Sequence, residues 1–507
     1  MFKKILVANR AEIAVRIIRA CKELGIKTAA VYSEADKESR HLKLADESHF
    51  IGPPQPVQSY LNIEKIVQTA KESASDAIHP GYGFLAQIPR FVQVCEENNI
   101  TFIGPSSTIL EKMANKVVAR KIMARAGLQI IPGTMEPVED LGEAEEVSEK
   151  LGYPIIIKAV YGGGGRGMRI VKHKRGLAEA FELTQLEAEA SFGSSQVYIE
   201  KQLPNPRHIE FQILADKNGN VIHLGERECS IQRKHQKLVE ETPSPMMTEA
   251  LRKIMGEAAV KAANAVNYTN AGTVEFLVDG GDKFYFLEMN TRLQVEHLIT
   301  EIVTRVDIVK EQILIAAGNP LQFKQEDITI MGHAIDCRIN AEDPRRDFAP
   351  CPDTVKRYRA PSGPWIRVDS ALYEGYTIPV FYDSLIAKLA VWGRNREEAI
   401  KRMKNALAEY EIEGVETTIA LHKKIMEDEH FVEGRIHTGF IRQRIGNVLL
   451  ERELIGEDIA ALIAALSLSL HKGKTGFVVI PKRKNRIKSR WKTFGRSFEL
   501  EAFKWGT

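Results

Sequence analysis

The sequence predicts an α/β protein, α+β overall, in three units: a parallel sheet flanked by helices, a small glycine-looped unit, and a larger strand-rich one. Three observations predict it. The first hundred residues alternate strand-forming and helix-forming runs. Four consecutive glycines, 162–165, lie between two strand-prone stretches. After residue 204 long strand-prone pairs take over.

The first unit, residues 1–113, opens with KILVA and AEIAVRIIRACKEL, whose Ile13, Ile17, Cys21 and Leu24 recur at helical spacing. TAAVY, YLNIEKIVQTAKES, DAIHP, FVQVCEEN and ITFIGP continue a βαβ pattern, which implies parallel strands. The turn after the first strand is ANRAE, without GxGxxG, so a dinucleotide site there is disfavoured. Residues 114–131 read as a linker. The second unit, 132–203, holds a helix near 140–151, strands at PIIIKAV and MRIVK, a helix near 176–190, and VYIEKQL. The third, 204–446, opens with HIEFQILAD and VIHLGERECS joined across KNGN. Helices are expected near 247–265 and 395–410, and a surface connection where proline is dense, at 350–364. Residues 447–507 differ again: EDIAALIAALSLSL spaces apolar residues along one helix face, and PKRKNRIKSRWK carries seven basic residues and no acid. A solvated basic extension, with partner docking as an alternative, is the expectation.

The 507 residues are 44% hydrophobic and 27% charged, ordinary for a globular protein. No apolar run is long enough to span a bilayer, and MFKKILVANR reads as a strand, not a signal peptide. Cys21, Cys95, Cys229, Cys337 and Cys351 are scattered without a CxxC, which disfavours a disulfide framework and a zinc site and fits the cytoplasm. Residues 451–507 hold twelve Lys/Arg against six Asp/Glu, whereas the whole chain is only +3. The body is therefore slightly acidic, and nucleic acid is not an expected partner.

Two stretches carry chemistry. In EMNTRLQVEH (288–297) Glu288, Asn290, Arg292, Gln294 and Glu296 fall on alternate positions. An extended segment would put all five on one face, suited to a charged ligand with a metal; a solvent-facing edge strand gives the same alternation. In KAVYGGGGRGMR (158–169) the glycines leave backbone N–H groups free to close over phosphates, although the spacing is not that of a P-loop. Lys158 ends a buried-type strand, where an ammonium needs an anionic partner.

These stretches, with HPGYGFL (79–85), NPRHIEFQ (205–212), ERECSIQRKHQK (226–237) and CRINAED (337–343), resemble the biotin carboxylases of the ATP-grasp group, collinearly from about residue 2 to 446. The resemblance implies a three-domain ATP-grasp architecture, the nucleotide clasped between the glycine-rich lid and the third domain. It implies that Lys116, Lys158, Gly163, Gly164, Gly165, Glu200, Lys201, Leu203, His208, Gln232, His235 and Leu277 meet ATP. Glu275, Glu288 and Asn290 would hold two Mg²⁺ or Mn²⁺, hard cations suited to carboxylate oxygens. Lys237, Arg292, Gln294, the Val295 backbone and Glu296 would receive bicarbonate, with Glu296 taking its proton. Tyr82 and Gly83 would border biotin, and Arg338 would stabilise its enolate. The implied reaction is attack of bicarbonate on the γ-phosphate of ATP, then transfer of CO₂ from carboxyphosphate to biotin. A Cys229–Lys237 thiolate pair is conceivable; an inert buried cysteine is the plainer reading.

The chain departs from the family pattern at Ala11 and Arg305, where glycine is usual, at Leu298, where proline is common, at Tyr161 in the lid, and at FLAQI (84–88), where FLSEN is usual. There is no MKM biotinylation site, and RMKN (402–405) lies in a helical pattern. No carboxyltransferase-sized region follows. The resemblance therefore implies a homodimeric component whose biotin carboxyl carrier protein and carboxyltransferase are separate chains, the tail leaning towards the pyruvate carboxylase type over acetyl-CoA or acyl-CoA carboxylase. The rival readings are another ATP-grasp ligase with a different acceptor and a non-catalytic protein binding through its basic tail.

Overall fold

The computed structural model describes residues 1–162, 167–281 and 283–446. The first unit contains β1 (Lys4–Val7), α1 (Ala11–Glu23), β2 (Lys27–Ser33), β3 (Glu47–Gly52), α2 (Ile63–Glu72), β4 (Ala77–His79), α3 (Pro89–Glu97) and β5 (Thr101–Phe102). Its five strands are parallel in the order β3-β2-β1-β4-β5. Ile13, Ile17 and Cys21 of α1 are buried against the sheet, as their spacing requires. β3 carries no such signal in the sequence. It is an edge strand whose Phe50 is 49% exposed, so no apolar face marks it.

The expected linker is not a plain connector. After α4 (Ser107–Ala114) comes α5 (Lys116–Arg125), capped by Asn115 Oδ1, which accepts from Val118 N at 3.0 Å. Val117, Arg120 and Met123 of α5 are buried.

The lid unit contains α6 (Leu141–Leu151), β6 (Ile155–Ala159), β7 (Met168–Val171), α7 (Leu177–Phe192) and β8 (Val197–Lys201). Its antiparallel sheet has the order β7-β6-β8. Gly163, Gly164 and Gly165 lie outside the described residues, as do 447–507.

The third unit is built on one antiparallel sheet of eight strands. Its strands are β9 (Arg207–Ala215), β10 (Val221–Arg233), β11 (Gln236–Thr242), β12 (Asn270–Val278), β13 (Phe284–Asn290), β14 (His333–Asn340), β15 (Ile366–Ser370) and β16 (Leu385–Gly393). Their order is β13-β12-β9-β10-β11-β14-β16-β15. Period-two alternation divides β9 cleanly. Ile209, Phe211 and Ile213 pack in a core with α5 and α8 (Glu249–Ala265), leaving His208, Glu210 and Gln212 for the opposite face. A second core joins β14, β16 and α10 (Arg396–Glu409), and Ile441 and Ile445 close it.

EMNTRLQVEH is not one extended strand. β13 ends at Asn290, and residues 291–296 turn out of the sheet to enter α9 (His297–Thr304). A bulge opposite Glu275 and Phe276 also breaks strict alternation along β13. Two departures from glycine fall on left-handed backbone: Ala11 at the start of α1 has φ 54°, and Arg305, capping α9, has φ 62°.

Candidate active site

The site lies on the polar face of the large sheet, where a buried ammonium gathers three carboxylates. Lys237 of β11 donates to Glu210 of β9 at 2.5 Å, Glu275 of β12 at 2.9 Å and Glu296 at 2.8 Å. Burial opposes its charge, but these carboxylates raise its proton affinity well above the ordinary lysine range. Burial pushes the Cys229 thiol far up, so it stays an SH and the thiolate–lysine pair does not form.

Glu296 is fully buried beneath two cations. Arg338 of β14 donates Nη2 to Glu296 at 2.9 Å and Nε to Glu240 at 2.7 Å. Burial alone would raise the Glu296 carboxyl; Lys237 and Arg338 outweigh it and hold the group well below the usual carboxylate range. Glu240, buried behind Arg338, is pushed up to about 7 by desolvation. Glu275 is 4% exposed. Its Oε1 accepts from Asn290 Nδ2 at 2.8 Å and Gln294 Nε2 at 3.1 Å, and its Oε2 lies 2.9 Å from His208 Nε2. Asn290 and Gln294 thus meet one carboxylate although the strand ends between them.

Glu275 and Glu288 are cross-strand partners on β12 and β13, so both carboxylates share a face with Asn290 nearby. This all-oxygen set suits Mg²⁺ better than a soft ion. Lys116 donates to Glu288, and Lys158 of β6 and Arg120 of α5 converge on Glu200 of β8. Lys158 therefore has the anionic partner its burial demanded. Gln232 Nε2 reaches His208 Nδ1 at 2.7 Å, and Leu277 pairs with His208 across β12 and β9. His235, at the β10–β11 turn, borders a cavity of about 450 Å³ with Ile156, Met168, Ile170 and Leu183 of the lid. Lys201 and half-buried Leu203 lead out of β8.

On the first unit, Tyr82 O accepts from Asn9 Nδ2 at 2.8 Å, and Gly83 has φ 70°, a conformation that favours glycine. The Tyr82 ring lies 5.6 Å from Lys388 Nζ. Arg292 donates Nε to Gln87 Oε1 at 2.8 Å and Nη2 to Asn290 Oδ1 at 3.2 Å. The Val295 carbonyl accepts from Lys388 at 3.1 Å.

Glu210, Glu240, Arg120, Gln87 and Lys388 escape a reading of the sequence. Glu210 had a signal, standing two residues from His208 and so on its face. Lys388, a lone lysine in the apolar run LIAKLAV and fully buried, had one too. Gln87 lay in the departure FLAQI, whereas Glu240 and Arg120 depend on which elements meet.

A small glycine-looped unit beside a carboxylate-bearing antiparallel sheet, with a parallel-sheet unit adjoining, defines a protein of the ATP-grasp class. The chain matches the biotin carboxylase N-terminal domain over residues 1–110, the ATP-binding domain of carbamoyl-phosphate synthase L chain over 115–324, and the biotin carboxylase C-terminal domain over 336–443. It is 54% identical to a pyruvate carboxylase subunit of Methanothermobacter thermautotrophicus over 488 residues, 93% of this chain and 99% of that one. It is also 54% identical to biotin carboxylase 1 of Bacillus subtilis over 442 residues, 87% and 98% of the two chains. Among solved structures, it matches the biotin carboxylase domain dimer of Hydrogenobacter thermophilus 2-oxoglutarate carboxylase, described in complex with MgADP, ADP and bicarbonate. That match has 50% identity and a TM-score of 0.87, covering 89% of this chain and 99% of that one. The chain belongs to the biotin carboxylase family.

Proposed function

We propose that the chain is the biotin carboxylase component of a multi-subunit carboxylase, using ATP and bicarbonate to carboxylate biotin on a separate carrier protein. The observation that carries this reading is the junction at Glu296. One buried carboxylate is shared between Lys237, which reaches the metal-side acid Glu275, and Arg338, the cation this reading assigns to biotin.

In this reading Glu275, Glu288 and Asn290 hold Mg²⁺, or Mn²⁺, which supplies charge neutralisation on the phosphates. Lys116, Lys158 and the lid glycines contact ATP, and β8 with Leu203, His208, Gln232, His235 and Leu277 borders the nucleotide. Arg292, Gln294, Lys237 and the Val295 backbone hold bicarbonate. Glu296 accepts its proton, so the oxygen becomes nucleophilic enough to attack the γ-phosphorus; ADP leaves and carboxyphosphate forms. Binding of anions competes with Glu296 for Lys237 and Arg338. As those cations turn to the substrates, the proton affinity of Glu296 rises towards what a base requires. Carboxyphosphate breaks down to CO₂ and phosphate, the phosphate removes the proton from the ureido nitrogen of biotin, and Arg338 stabilises the resulting enolate. The nitrogen then attacks CO₂.

The finer reading is a cytoplasmic homodimer of the multi-chain pyruvate carboxylase type, with carrier and carboxyltransferase on other chains and the domains bounded at 113, 131, 203 and 446. The match to the Methanothermobacter pyruvate carboxylase subunit extends over 488 residues, against 442 for biotin carboxylase 1, which favours a 2-oxo acid over an acyl-CoA as final acceptor. Five cysteines without a disulfide favour a reducing compartment. Among the described residues no helix is long and apolar enough to cross a membrane.

The test is ADP release with Mg²⁺, ATP and bicarbonate, with and without free biotin, alongside labelled carbon fixed into biotin. Bicarbonate-dependent, biotin-stimulated release with matching label is expected. ATP cleavage that ignores bicarbonate would sink the reading.

A further inference from the structure

The basic side chains of the site are not balanced alike. Lys116 is paired with Glu288, Lys158 with Glu200, Lys237 with three carboxylates and Arg338 with two. Arg292 differs. Its acceptors are Gln87 Oε1 at 2.8 Å, the Leu293 carbonyl at 3.1 Å and Asn290 Oδ1 at 3.2 Å, all of them neutral. Among the described residues no carboxylate lies within ion-pair distance of its guanidinium.

Gln87 is the partner that comes from another unit. It follows the Tyr82–Gly83 loop, whose turn is closed by Ala86 N donating to the Gly83 carbonyl at 2.9 Å. Its amide is used at both ends: the oxygen accepts from Arg292 Nε, and Nε2 donates to Thr291 Oγ1 at 3.3 Å. Glutamate, which the usual FLSEN puts at this position, is nearly isosteric and would also bond Arg292, but it would bring a charge and lose the donor to Thr291. A guanidinium oriented by amide and carbonyl oxygens keeps its net charge for a ligand; one bonded to a carboxylate has it largely offset.

We propose that Gln87 is a positioning residue for bicarbonate: it aims the Arg292 guanidinium from the neighbouring domain without neutralising it, leaving one uncompensated positive charge for the incoming anion. This rests on the assignment of Arg292 to bicarbonate. It adds that the departure from the usual glutamate to a neutral amide at residue 87 strengthens this chain's hold on the anion.

The test compares Gln87→Glu with Gln87→Met in bicarbonate-dependent ADP release by the full chain, both variants checked by thermal unfolding. Gln87→Glu keeps the shape and can strengthen the bond to Arg292, so a purely structural role predicts that it is the milder change. The proposal predicts the reverse order. Gln87→Glu should raise the bicarbonate KM about fivefold with the ATP KM unchanged, and Gln87→Met should raise it less, because Arg292 keeps its charge but loses its aim. A bicarbonate KM within about twofold of the parent for Gln87→Glu, Gln87→Met as the more harmful change, or an equal rise in both Michaelis constants would overturn it. If the parent chain itself cleaves ATP without regard to bicarbonate, the assigned function fails instead, and that is visible before any variant is made.

Discussion

Glu296 illustrates how far a residue's chemistry departs from its model-compound value. Lys237 and Arg338 keep it ionised within the buried site, and in the proposed function it is the base that takes the proton of bicarbonate. Glu296→Ala should therefore abolish biotin carboxylation, a loss of roughly 10²–10⁴-fold for a proton-transfer group, while nucleotide affinity changes little. Equilibrium binding of ADP beside labelled-carbon fixation checks both halves. Equal loss of the two would show that removing the carboxylate, which leaves Lys237 and Arg338 each one partner short, collapses the site rather than its base. The residue types here were legible because EMNTRLQVEH displays them in a row. Their partners were less so: Glu240 meets Arg338 only because β11 lies beside β14, a contact across 98 positions that no local pattern announces.

At the scale of elements, the hydrophobic period located most of the helices and strands, since burial of one face is what the period records. It failed where burial is slight, at β3, and where a turn interrupts a polar alternation, after Asn290. The substitutions at Ala11 and Arg305 have a backbone meaning. Both residues occupy left-handed conformations that cost an L-residue about 1–2 kcal/mol. Returning either to glycine relieves that cost but gives the unfolded chain more freedom, so Ala11→Gly and Arg305→Gly should each stabilise the protein by a net of about 0.5 kcal/mol. Urea denaturation would register it, and a loss of stability in both would mean that the side chains contribute more than the strain removes.

Across the whole molecule, buried carboxyls set a pH window. Glu241 joins β11 to α10 through Arg396 and also meets His333. Burial would raise its carboxyl, yet these cations bring it down from 4.5 to about 2. Its contribution is complete above the unfolded value and disappears as pH falls from 4.5 through 2, a loss of roughly 3 kcal/mol. Glu12 in α1 behaves oppositely: desolvation raises it from 4.5 to about 7, so its contribution is complete below 4.5 and is lost as pH rises through 7. Thermal unfolding across pH should fall away on both sides. Glu241→Gln should flatten the acid side and Glu12→Gln the neutral side; unchanged slopes would refute the assignment. Among the described residues the core reaches Ile441 and Ile445, ahead of the basic stretch in the sequence. Removing residues 471–507 should therefore leave free-biotin carboxylation within about twofold of the full chain, measured as label fixed per mole of protein.

The large sheet has one more implication. Glu275 on β12 and Arg338 on β14 stand on the same sheet with β9, β10 and β11 between them. Strand spacing puts their backbones roughly 19 Å apart along a flat sheet, and Lys237 and Glu296 bridge that span. In the proposed function the two successive reactions are thus laid out on a ruler whose gradations are the spacings between strands. The separation of the strands that would serve the two ends is therefore a property of the sheet, whatever its side chains do.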